Sequence, residues 1–146
     1  GTDTAEETGL LLDLTLPTLK PVILVGAMRP ADAVGADGMR NFANAARVAG
    51  DPAAAGRGVM LVMGDAVLAA RDARKAATAA IDAFRSFPRG PLARVTPASL
   101  DWFAPPHRAG EGARFAFPDE PVRVAILTAG AGMDALPVEA LLGIGA

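Results

Sequence analysis

The sequence has no cysteine and no tyrosine, one tryptophan and one histidine. Without thiols there can be no disulfide framework and no thiolate nucleophile. The same absence does not choose between cytoplasm and periplasm. His107 lies beside Pro105-Pro106 with no second histidine at metal-ligand spacing, so a surface-loop histidine is expected, with no metal and no cofactor. No apolar run approaches the roughly 20 residues of a membrane span, and no signal segment is visible. Charge of one sign is also lacking: 14 basic against 16 acidic residues leave −2, so neither nucleic acid nor a membrane surface is an expected partner. What is plentiful is apolar material, 51% of 146 residues, enough for the core of one ordinary domain.

Strand and helix patterns alternate along the chain. Thr4-Ala5-Glu6-Glu7 fits a capping box, with the Thr4 hydroxyl accepting from the Glu7 N–H. A helix should follow to about Leu14, with Leu10, Leu11 and Leu14 on one face and Pro17 ending it. Val22-Ile23-Leu24-Val25 and Val59-Met60-Leu61-Val62-Met63 are continuous runs of the kind found in strands covered on both faces. A second helix is expected from about Met39 to Ala49, with Phe42, Ala45, Ala46 and Val48 as its apolar side. Gly64-Asp65 reads as a two-residue, glycine-first hairpin turn, returning Val67 to Arg71 antiparallel. Ala76 to Phe84 is alanine-rich and reads as helical. Pro88 to Pro118 holds six prolines and has the composition of an interdomain connection, on which Trp102 and Phe103 would act as anchors. Val122 to Leu127 reads as a new strand and Leu136 to Leu142 as a new helix. This alternation predicts an α/β fold with a mainly parallel sheet.

Three places could carry chemistry. Thr2 and Asp3 precede the first helix, where free N–H groups and the helix dipole favour a carboxylate-bearing ligand. Thr2 offers a hydroxyl and Asp3 an acceptor for an ammonium group, although both could be simple helix-entry residues. Arg71-Asp72-Ala73-Arg74-Lys75 follows the hairpin; a lysine near a threonine hydroxyl can lower its proton affinity or take its proton, whereas a charge cluster at a strand end is commonly just solvated. Gly130-Ala131-Gly132-Met133-Asp134-Ala135 has the form of a dinucleotide loop. Pro137 delays the helix after it, and a tight strand-to-helix turn explains the glycines as well.

Several segments, in order, resemble the bacterial L-asparaginase and glutaminase-asparaginase family. Gly1-Thr2-Asp3-Thr4-Ala5-Glu6-Glu7-Thr8 is similar to that family's second threonine signature. Val25-Gly26-Ala27-Met28-Arg29-Pro30, then Ala36-Asp37-Gly38 and Asn41, resemble its VGAMRP, ADG and N. Val62-Met63-Gly64-Asp65, Ala70-Arg71-Asp72-Ala73-Arg74-Lys75, Ala83-Phe84-Arg85-Ser86 and Gly90-Pro91-Leu92 resemble its VMND, ARDVTK, AFRS and GPLG. The resemblance implies a flavodoxin-like domain with helices on both faces up to about Pro106, a linker over 107–121 and the start of a small α/β domain over 122–146. It also implies hydrolysis of the side-chain amide of asparagine, and often glutamine, to the acid and ammonia, without a cofactor. Thr2, Asp3 and Lys75 would be the catalytic residues. Thr2 and Asp3 would also bind substrate, with Asp3 on its ammonium group, and Ala27 would offer a backbone contact. A homotetramer is implied too.

The departures from the family pattern are specific. There is no Gly-Gly-Thr segment and no tyrosine in these residues, so the family's nucleophilic threonine and lid are not among them. The chain opens inside a motif without a methionine, and a fragment is therefore expected, inactive on its own. Ala5 replaces the usual methionine, Gly64 replaces an asparagine, and Arg74, Ala76 and Ala77 replace the threonine-rich flanks of the lysine. These changes keep a second class of function open, a non-catalytic relative that binds a small amino acid. A nucleotide-dependent oxidoreductase would rest on the Gly130 loop alone.

Overall fold

Residues 59–63 contain no polar side chain, and the fold is organised around them. In the computed structural model, which describes residues 1–106, 115–117 and 119–145, β2 (Val59–Met63) is buried at every position. Each such side chain contributes about 1.5–3 kcal/mol on burial. β1 (Val22–Val25) runs parallel to β2, with Val22 opposite Val59 and Val25 opposite Val62. The connection between them is α2 (Gly38–Ala49), which makes a β-α-β unit. Beyond β2 the pairings are antiparallel: β3 (Ala66–Ala69), β6 (Ala93–Val95) and β7 (Leu100–Trp102) extend the sheet in the order β1-β2-β3-β6-β7. β4 (Ala73–Lys75) and β5 (Phe84–Ser86) form a separate two-stranded sheet.

The result is an α/β fold with one helix on each face. α2 covers a core of Ala45, Val48, Met60, Val62, Val67 and Val95. On the other face α1 (Ala5–Thr15) packs near Leu61, Met63, Leu68, Ala73 and Phe84, with Ala5 and Leu24 joining that cluster. Gly64-Asp65 is the two-residue turn expected from its glycine: Met63 lies opposite Ala66, and Gly64 has φ +59° while Asp65 does not enter the left-handed region. α1 ends where Leu16 turns extended, as the residue before Pro17 must.

Several expectations are corrected. Thr4 makes no capping bond; its hydroxyl points back to the Gly1 carbonyl at 3.5 Å. α1 buries Gly9 and Asp13, and Leu10 and Leu11 are each 42% exposed. Ala5, Gly9 and Asp13 recur every four residues, so they share one face. In α2 the inward row is Asn41, Ala45 and Val48; Ala46 is exposed, and Phe42 is 60% exposed. β1 is only half-buried, and Val25 at its end is exposed. Residues 76–83 form no helix, because the flanking β4 and β5 pair, with the Ala76 N–H donating to the Ala83 carbonyl at 2.7 Å. The proline-rich stretch contributes two sheet strands, β6 and β7. Trp102 packs on the core under the Arg57 guanidinium, 3.8 Å from the ring centre, whereas Phe103 is exposed.

The chain divides into two units, Gly1–Ala116 and Phe117–Ala146. In the second, 122–127 is not a strand, Gly130 to Met133 form a turn closed by a 3.2 Å bond, and α3 (Leu136–Gly143) buries none of its residues. The Gly130 loop thus lacks the preceding strand that a dinucleotide fold requires. His107 and most of the expected linker lie outside the described residues. Among the described residues no helix is long and apolar enough to cross a membrane.

Candidate functional site

β1 ends at Val25, and the chain turns at Gly26 beside the entrance to α1. An added Cβ on Gly26 would stand 3.0 Å from the Thr2 methyl, so glycine is what lets the two loops approach. Between them lies a cavity of about 120 Å³, bordered by Thr2, Thr4, Thr8, Gly26, Met63 and Phe84. Its lining combines the apolar Leu24, Leu61, Met63 and Phe84 with three threonines at the entrance to α1.

Lys75 arrives from β4. Its amine donates to the Thr2 hydroxyl oxygen at 3.1 Å and to Oδ1 of Asp3. The lysine side chain is 19% exposed and Asp3 is 89% exposed. Hydrogen bonding from Lys75, and then its positive charge, hold the Asp3 carboxyl below its ordinary 3.8. Because Asp3 is so exposed, the pair adds little to stability; its weight is in geometry. Oδ1 is taken by the lysine, and Oδ2 has no partner among the described residues. Lys75 and Asp3 do not border the cavity, so Thr2 is the link between the cavity and the ion pair.

Of the four residues singled out in the sequence, Thr2, Asp3 and Lys75 come together, and Ala27 stands apart. The Ala27 side chain faces Gly38, whose added Cβ would meet it at 3.4 Å. It borders a different hollow, with Arg29, Ala31 and Met39. Gly26 is the residue against Thr2. Arg74 does not join the lysine. It bonds the Ala73 carbonyl at 2.6 Å and reaches Glu6 at 3.9 Å, as alternation along a strand requires.

The loop after β1 is held by side chains to which the sequence assigns no role. Both Asp37 oxygens accept from the Met28 N–H, at 3.0 and 3.1 Å, and Oδ1 also accepts from the Arg29 N–H at 3.0 Å. Burial pushes the Asp37 carboxyl up, but the bonds from Met28, Arg29 and Asn41 outweigh it and leave it below 3.8. Asn41 is fully buried. It donates to the Gly26 carbonyl at 2.9 Å and accepts from the Gly64 N–H at 2.9 Å, tying that loop to the hairpin turn. A buried amide can replace the water both groups lose. An aspartate and an asparagine four apart at a helix start were the available signal.

Comparison with known proteins gives the family. The family described as "Asparaginase, N-terminal" matches residues 1–108. The chain is 48% identical over 106 residues to a glutaminase-asparaginase of Pseudomonas aeruginosa, covering 73% of this chain and 29% of that protein. It is 46% identical over 108 residues to L-asparaginase 2 of Escherichia coli, 74% of this chain and 31% of that one. It is 40% identical over 148 aligned positions to a probable periplasmic L-asparaginase of Haemophilus influenzae, 99% of this chain and 42% of that one. The chain therefore spans 29–42% of the length of these relatives. With the family pattern running through the segments that build the Thr2–Lys75 junction, this chain belongs to the asparaginase family.

Proposed function

We propose that these residues carry the threonine–aspartate–lysine part of an amidohydrolase site that splits the side-chain amide of L-asparagine, and also of L-glutamine, to the acid and ammonia. The observation that supports it is the Lys75 amine, bonded to Asp3 and 3.1 Å from the hydroxyl oxygen of Thr2, which borders the cavity. A lysine ammonium that donates to a hydroxyl oxygen draws electron density from it, so the hydroxyl proton is given up more readily. Thr2 can then aim that proton at the reacting amide or its water, while Asp3 meets the substrate ammonium through Oδ2. In the overall change, water adds to the amide carbon, the C–N bond breaks and the nitrogen leaves as ammonia with the proton it receives. Ala27 would contribute only its main chain.

Under this proposal the nucleophilic threonine belongs to a Gly-Gly-Thr segment that is not among these 146 residues, and the intact protein is a homotetramer, which light scattering would show. Ammonia release from asparagine by the intact gene product is the test. Lys75→Met should lower turnover by roughly 10²–10⁴-fold, the usual weight of a proton-handling group, and still bind aspartate in a calorimeter. Unchanged turnover would remove Lys75 from the chemistry.

A further inference from the structure

Lys75 lies on a strand whose hydrogen-bonding pattern leaves its own N–H unused. In an antiparallel pair, residues that exchange bonds alternate with residues that do not. The Phe87 N–H donates to the Asp72 carbonyl at 3.1 Å and the Ala76 N–H to the Ala83 carbonyl at 2.7 Å. These two bonds fix 72/87 and 76/83 as exchanging pairs, and by alternation Arg74/Arg85 as the pair between them. Lys75, opposite Phe84, therefore turns its N–H away from β5, toward the outer edge of the small sheet. There it meets Oε1 of Glu6, at 2.5 Å. Glu6 sits in the first turn of α1, three residues after Asp3. Its other oxygen faces the Arg74 guanidinium at 3.9 Å.

We propose that Glu6 is a positioning residue for the threonine–lysine pair, its carboxylate clamping the Lys75 main chain to the helix that begins just after Thr2 and Asp3. The proposal rests on the amidohydrolase reading for its kinetic consequence. The lysine amine is at the end of four flexible methylenes, and its pairing with the exposed Asp3 cannot fix it. A main-chain clamp can, because it sets where the side chain starts. The Glu6 carboxylate does two further things: its second oxygen faces the Arg74 guanidinium, and its first satisfies a strand-edge N–H beside the site. Thr2, Asp3 and Glu6 lie within five consecutive residues, so a single helix entry supplies both the reacting hydroxyl and the clamp on the group that serves it.

The test uses the intact protein with Glu6→Ala, Glu6→Gln and Lys75→Met made in parallel. Glutamine keeps the accepting oxygen and alanine removes it. Glu6→Ala should lower kcat for asparagine by about 10- to 100-fold, the effect of a displacement near 1 Å, with KM changed by no more than about threefold. Glu6→Gln should return kcat to within about threefold of the parent. Amide hydrogen exchange at Lys75 should quicken in the alanine variant and stay slow in the glutamine variant. Parent-like kcat and exchange in Glu6→Ala would overturn the proposal, as would a glutamine variant no better than alanine. If Glu6→Ala is unaffected while Lys75→Met has lost turnover, only the role of Glu6 falls. If the intact parent releases no ammonia from asparagine the amidohydrolase reading falls, and if Lys75→Met keeps its turnover the role of Lys75 falls; either result takes the kinetic role of Glu6 with it.

Discussion

The two helices cover opposite faces of one sheet, both make side-chain hydrogen bonds to it, and they differ in how much apolar side chain they bury. α2 lies on its face through Ala45 and Val48 above Met60, Val62 and Val67, and Asn41, Asn44 and Arg47 also donate to the carbonyls of Gly26, Gly64 and Thr96. α1 turns Gly9 and Asp13 inward and leaves two of its leucines largely outside. It is attached by directional bonds: Asp13 accepts from the Val59 N–H at 2.8 Å and pairs with Arg71, and Glu6 accepts from the Lys75 N–H. Apolar burial is nondirectional and tolerates small shifts. Hydrogen bonds set position. The helix whose entry carries Thr2 and Asp3 buries no large apolar side chain and so depends on these bonds, and two of its partners, Arg71 and Lys75, belong to the short segment that delivers the lysine.

Substitutions on the two faces should separate these means. Asp13→Ala removes one member of a buried pair and orphans the Val59 N–H. It should cost roughly 3–5 kcal/mol, towards the lower end because Arg71 is 24% exposed. Met60→Ala, on the α2 face, should cost a comparable 2–5 kcal/mol. Chemical denaturation measures both. Among the molecules still folded, asparagine turnover should drop with Asp13→Ala and hold with Met60→Ala; equal turnover would erase the distinction. A smaller effect is expected at Gly9. Alanine there would gain about 1 kcal/mol of helix propensity, yet its Cβ would stand 2.8 Å from that of Ala70 and 3.1 Å from a Leu24 methyl. Overpacking of this kind costs about 1–3 kcal/mol, so Gly9→Ala should lower stability slightly where propensity alone would raise it. The smallest effect is a titration. Lys75 holds the Asp3 carboxyl below 3.8, so any stability this pairing gives is present above that pH and is lost as pH falls through the lower folded value. By carbon NMR the Asp3 midpoint should rise toward 3.8 in Lys75→Met and stay put in Met60→Ala.

Much of the frame is legible in the residues. β2 is a five-residue apolar run, β1 another of four, and the glycine-first turn after Met63 forms as its residue types require. What is hidden has a common cause. The leucines of α1 satisfy helical spacing, but a glycine lets the helix come closer to the sheet than any leucine face would, and a buried aspartate finds Val59 and Arg71 far along the chain. The alanine-rich stretch after Lys75 has good helix propensity, yet pairing of the three-residue strands β4 and β5 overrides it. β6 and β7 are likewise three residues each, too short to show alternation amid prolines. At the site, Thr2, Asp3 and Lys75 could be named from their motifs. Asp37 and Asn41 stand in the motifs too, but not the loop and turn groups they tie; the clamp by Glu6 could not be named, because it depends on which N–H groups the small sheet leaves unpaired.

The central claim is that Thr2 and Lys75, 73 residues apart along the chain, act as one unit. A double-mutant cycle on kcat/KM for asparagine tests it most directly, using Thr2→Val, Lys75→Met and both together in the intact protein. If the two side chains share one proton path, the double variant should be about as impaired as the worse single variant, a coupling of at least about 1 kcal/mol. Losses that simply multiply would contradict it.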